Sequence, residues 1–147
     1  MLLRTTLALA TAGLVCSWGM LASPRLPAGL YEVRFRLELP HLERWAVDKV
    51  RTVCLPVEGG KAPIPVLSGN MPFAGCRAMR LSREGPTLSY DLLCAGRGAA
   101  RARASYLLTG QDFSGRVSMI LGAKNMTMTE VQSGRRLGSC RPAEPSS

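Results

Sequence analysis

The residues with most chemical potential in this chain are five cysteines, one histidine and sixteen arginines. Cys16 stands inside an apolar N-terminal stretch, while Cys54, Cys76, Cys94 and Cys140 follow at wide intervals. A structural zinc site takes cysteines in pairs about two to four residues apart, and no two of these are that close. A Ser-His-Asp set needs a histidine base, and His41 follows Pro40 in what reads as a surface connection. Glycoside chemistry needs two acids facing across a cleft. Glu32 and Glu38 fall on the outward side of a strand, and Asp91 and Asp112 fall at strand ends or turns. Gly96-Arg97-Gly98-Ala99-Ala100 has a partial glycine-rich look, but no helix follows to receive a phosphate, so it reads as a turn. Asn125-Met126-Thr127 is a formal glycosylation sequon. No catalytic residue, metal site or cofactor is expected from these residues, and the chain does not read as an enzyme.

The elements that must position the remaining candidates begin after a leader. Met1–Thr6 is short and carries Arg4, Leu7–Val15 is apolar, and small residues precede Pro24. That is the order of a secretory signal peptide, which assigns residues 1–23 to export. Val15 before Cys16 disfavours a lipidation site. Thr5–Ala22 just reaches the shortest length that spans a membrane, and no other segment reads as transmembrane. A periplasmic or secreted location follows, and an even set of four cysteines in an exported chain implies two disulfides. The leader takes one positive charge from a net +9. About 120 residues then remain, enough for one small domain over residues 24–140 with a loose tail at 141–147.

Within that domain the apolar pattern has period two. Tyr31, Val33, Phe35, Leu37 and Leu39 alternate with Glu32, Arg34, Arg36 and Glu38, the signature of a half-buried antiparallel strand. Further strands are expected at Val50–Leu55, Arg77–Ser82, Thr87–Cys94, Ala100–Leu108, Phe113–Leu121, Met126–Gln132 and Gly134–Cys140. Pro56–Gly75 holds too many prolines and glycines for a regular element, yet carries Ile64, Val66, Leu67, Met71 and Phe73. It reads as a loop packed over one end of the sheet, or as a lid over a cavity. The fold expected is mainly β: an antiparallel meander of seven or eight strands, forming a curved sheet or small barrel. Met79 and Leu81 on one strand, and Leu88, Tyr90, Leu92 and Cys94 on the next, place Cys76 and Cys94 on opposite faces. The expected bridges are therefore Cys54–Cys76 and Cys94–Cys140, each contributing roughly 3–4 kcal/mol.

Five segments stand out in order: Gly29-Leu30-Tyr31-Glu32, Cys54-Leu55-Pro56, Thr109-Gly110-Gln111-Asp112-Phe113-Ser114-Gly115, Met126-Thr127-Met128, and Ser133-Gly134-Arg135-Arg136-Leu137-Gly138-Ser139-Cys140. Together they resemble a family of small exported bacterial proteins known as a domain of unknown function, number thirty-six-seventeen. Tyr31 departs from the family's usual Trp. The resemblance implies export, a mainly β fold and paired cysteines, and it implies no activity.

Two partners suit the strand faces. An apolar or lipid-like ligand could be lined by the inward Phe35, Tyr106, Phe113, Val117 and Met119. Alternatively, the outward Arg34, Arg36, Arg101, Arg103 and Arg116 could meet an anionic envelope surface. Nucleic acid is not expected, because no aromatic residues interleave with the arginines. Glu130 is left open: its strand can insert with Met126 and Met128 inward, or with Thr127, Thr129 and Val131 inward.

Overall fold

The computed structural model describes residues 25–57, 59–69, 72–96, 99–122 and 126–140. The expected leader, the tail at 141–147, Met71, Arg97-Gly98 and Asn125 of the sequon lie outside the described residues. The described strands are β1 (Gly29–Glu38), β2 (Lys49–Leu55), β3 (Arg77–Glu84), β4 (Thr87–Leu93), β5 (Arg101–Thr109), β6 (Asp112–Leu121) and β7 (Met126–Gly138). They form one antiparallel sheet in the order β2-β1-β7-β6-β5-β4-β3. β3 to β7 make a meander, and the N-terminal hairpin adds to it through β1 against β7. β2 and β3 are left as edges, so the sheet is curved and open rather than a closed barrel.

Alternation sorts the side chains as expected. In β5 the pattern is unbroken, with Ala102, Ala104, Tyr106 and Leu108 buried and Arg101, Arg103 and Ser105 exposed. One cross-strand row on the core face runs Phe35, Gln132, Gly115, Tyr106, Leu88; the next runs Val33, Gly134, Phe113, Leu108. Two expected segments fuse into the long β7, because Gly134 is not a break. A Cβ at Gly134 would lie 2.2 Å from the Phe113 ring, so the glycine is the seat of that ring within the strand.

The disulfides are Cys54–Cys140 and Cys76–Cys94, and both expected pairings are corrected. The error lay in β3. Ala78 pairs with Leu92 and faces the core with Cys76, whereas Met79 pairs with Asp91 and is 47% exposed. The register shifts between Met79 and Ser82, with Arg80 at φ 51°, so β3 is bulged and Leu81 is exposed too. Cys76 and Cys94 thus share a face and clip the base of the β3–β4 hairpin. Cys54–Cys140 ties edge strand β2 to the end of β7, across β1.

The bridges close loops of very different size, 86 and 18 residues in sequence separation. On chain entropy the first contributes about 4.5 and the second about 3 kcal/mol. Replacing Cys54 and Cys140 together by Ser should lower the denaturation free energy more than replacing Cys76 and Cys94. Equal losses in urea titrations would count against the entropic account.

Candidate functional site

β7 inserts with Met128, Glu130 and Gln132 toward the core, which resolves the open alternative. Glu130 is fully buried, and burying a carboxylate costs several kcal/mol unless donors surround it. The donors come from the proline-rich loop. Its Leu67 N–H donates to Glu130 Oε1 at 2.8 Å and its Ser68 N–H donates to Oε2 at 2.7 Å. Gln132 Nε2 donates to Glu130 Oε1 and also to the Pro65 carbonyl at 2.9 Å. Tyr106 OH donates to Gln132 Oε1 at 3.0 Å, and Tyr90 OH donates to the Ile64 carbonyl at 2.6 Å. Burial pushes both tyrosine hydroxyls above their usual range, so they stay neutral donors. Every residue from Ile64 to Ser68 except Val66 thus receives or gives a hydrogen bond to the sheet.

Ala62, Ile64, Leu67 and Phe73 of this loop are buried in the same cluster as the sheet's core face. The loop is therefore packed onto the sheet as part of the core. Phe35, Tyr106, Phe113, Val117 and Met119 all lie in that cluster. Tyr106 and Phe113 meet edge to face at 5.6 Å, and Tyr90 stacks on Tyr106 at 6.1 Å. Phe35 also borders two surface grooves.

The opposite face carries the arginines. The five expected ones, Arg34 and Arg36 on β1, Arg101 and Arg103 on β5, and Arg116 on β6, all point outward, and Arg135 of β7 joins them. Sequence reading missed Arg135 because Gly134 looked like the start of a separate segment. Serines lie between them: Ser114 pairs with Ser133, and Ser105 pairs with Arg116. One groove of about 290 Å³ has Ser114, Gly115 and Ser133 among its lining, with Arg34, Arg36 and Arg116 beside them. A second, of about 300 Å³, is bordered by Arg80, Asp91, Leu93, Arg101, Arg103 and Ile120. Short side chains flanked by long cationic ones leave a trough with donors on its walls.

Acids neutralise part of this face. Asp48 lies 3.5 Å from Arg34 and 3.9 Å from Arg36, Glu38 binds Arg36 at 2.7 Å, and Glu32 meets Arg135 at 3.4 Å. Asp91 accepts from Arg103 Nε at 2.9 Å and from Arg80 Nε at 2.7 Å. The hydrogen bond from Arg103 holds the Asp91 carboxyl below the usual carboxylate range, with Arg80 adding to it. Among the described residues, Arg101 and Arg116 enter no ion pair. Nor do the described residues contain any group of three or more His, Cys, Asp or Glu placed to hold a metal ion.

The family model described as protein of unknown function, DUF3617, matches residues 26–140. The chain belongs to the DUF3617 family. No curated protein and no solved structure gives a significant match. The motif segments now have places in a DUF3617 fold. Gly29–Glu32 opens β1, with the Tyr31 hydroxyl donating to the Pro27 carbonyl at 2.7 Å. Thr109–Gly115 is the β5–β6 turn, and a Cβ at its Gly115 would lie 2.3 Å from the Ser105 carbonyl oxygen. Ser133–Cys140 is the end of β7 with its disulfide partner to β2.

Removing the Glu130 carboxylate by Glu130→Ala strands the Leu67 and Ser68 amides in the core. A loss of about 3 kcal/mol or more in denaturant titration is expected, and a loss under about 1 kcal/mol would refute Glu130 as the latch that holds the loop on the sheet. Asp91 gives a pH test. Its folded pKa is depressed, so its contribution is present above the unfolded value of about 4 and disappears as pH falls through the folded value. The stability gap between wild type and Asp91→Asn should therefore close on acidification, and a gap independent of pH would exclude the ion pair as its cause.

Proposed function

We propose that this chain is an exported, non-enzymatic module of the bacterial cell envelope whose outer sheet face binds anionic groups. The observation that carries it is the array of arginines from β1, β5, β6 and β7 on one open face, with Arg101 and Arg116 unpaired among the described residues. Guanidinium forks beside serine hydroxyls suit phosphate and carboxylate oxygens. Two disulfides fit an oxidising compartment, and the leader-like segment at 1–23 supplies the route to the periplasm or beyond. The apolar-ligand reading has less support, because the core face that would line such a site is covered by Ile64, Leu67 and Phe73.

Each exposed cation near an anionic surface contributes about 1 kcal/mol, so removing two costs about thirtyfold in affinity. An Arg101→Ser, Arg116→Ser chain should bind phosphatidylglycerol vesicles and soluble polyphosphate that much more weakly than wild type. Wild-type binding should weaken steeply as salt rises. Unchanged affinity in the double variant, or binding indifferent to salt, would remove the arginine face from the account. Binding to both probes, or to one only, separates a general phosphate site from a surface selective for lipid or polymer.

A further inference from the structure

Resting on that reading of the arginine face, we propose that the connection between β1 and β2 inserts into the interface of an anionic lipid bilayer. Leu39, Leu42, Trp45 and Val47 in the connection are 38%, 49%, 67% and 70% exposed and Val50 at the start of β2 is 56% exposed, a concentration of bare apolar side chains found nowhere else among the described residues. They are presented by ordered backbone. Leu42 N–H donates to the Leu39 carbonyl at 3.0 Å, Trp45 N–H to Leu42 at 2.9 Å and Ala46 N–H to Glu43 at 3.1 Å, forming a 3-10 turn at Glu43–Trp45. The core does not claim this turn, none of whose residues is buried.

The charges around it select the partner. Glu43 is turned back onto the His41 N–H at 3.0 Å, and Asp48 sits between Arg34 and Arg36. Both local acids are thus occupied within the protein. Arg44, Lys49 and Arg51 are exposed and, among the described residues, enter no ion pair. Arg44 lies over the Trp45 ring at 5.2 Å, leaving its cation beside an amphipathic indole. A tryptophan with aliphatic neighbours and unpaired cations is the composition that settles at the headgroup level of an anionic membrane. A groove of about 240 Å³ runs behind Trp45 and Val47, and the hydroxyl of Ser68, one of its lining residues, is buried with no hydrogen-bond partner among the described residues. A lipid headgroup oxygen would give that hydroxyl one.

Trp18 and Trp45 are the two tryptophans of the chain, so in a Trp18→Phe chain Trp45 reports alone. On phosphatidylcholine vesicles containing phosphatidylglycerol its emission should shift to the blue and be quenched by acyl-chain-brominated lipid, with much less of either on phosphatidylcholine alone. A Trp45→Ser, Val47→Ser chain should keep its denaturation midpoint, because both side chains are exposed, and bind these vesicles about tenfold more weakly or worse. Vesicle binding with Trp45 emission unchanged overturns the insertion and leaves the arginine face standing. Binding to polyphosphate without binding to vesicles does the same. Binding to neither overturns both.

Discussion

A carboxylate buried in the middle of a β-sheet's core face requires donors, and this protein takes them from the backbone of its own loop. Glu130 on β7 has no exposed surface, and its two oxygens are filled by Leu67 N–H, Ser68 N–H and Gln132. In the low dielectric of a core, such a network holds only when every member is satisfied. That requirement fixes where residues 64–68 lie, and with them the buried Ile64 and Leu67. A segment too rich in proline and glycine for regular structure is thereby made part of the core.

The same constraint makes one face of the sheet buried and leaves the other bare. The core face is covered by the chain itself, so Phe35, Tyr106 and Phe113 are packing residues of one aromatic-rich cluster. The other face has no covering layer among the described residues and carries alternating serine and arginine. An antiparallel sheet commonly packs one face on the core and leaves the other to water, and the proposed anion binding uses the bare face. Arg34, Arg36 and Arg103 are partly neutralised there by Asp48, Glu38 and Asp91, which orients them, while Arg101 and Arg116 enter no ion pair among the described residues.

Much of this was legible in the sequence, because period-two alternation reports burial directly when one face is wet. β5 and β6 were readable residue by residue, and β1 as far as Leu37, with the five outward arginines among them; Leu39, expected inward, lies past the end of β1 and is exposed. Alternation failed where the chain is at an edge. In β3, Met79 and Leu81 are apolar yet exposed, and a bulge at Arg80 breaks the period, so the face of Cys76 was inverted and both disulfides were mispaired. Gly134 was misread for a different reason. Glycine usually marks a turn, and its use here as a gap for the Phe113 ring depends on a partner strand twenty-one residues away. The Glu130 latch was half visible: a Glu-x-Gln pair at inward positions of a strand is anomalous, but the backbone donors that satisfy it are 62 and 63 residues distant and carry no side-chain signature.

Site-resolved amide hydrogen exchange on the ligand-free protein tests the central claim most directly. If the loop is core, the Leu67 and Ser68 amides exchange as slowly as those of β7, near the limit set by global unfolding. Exchange at those two amides as fast as at a surface loop, with β7 still protected, would show a lid that opens over the sheet and would contradict the account.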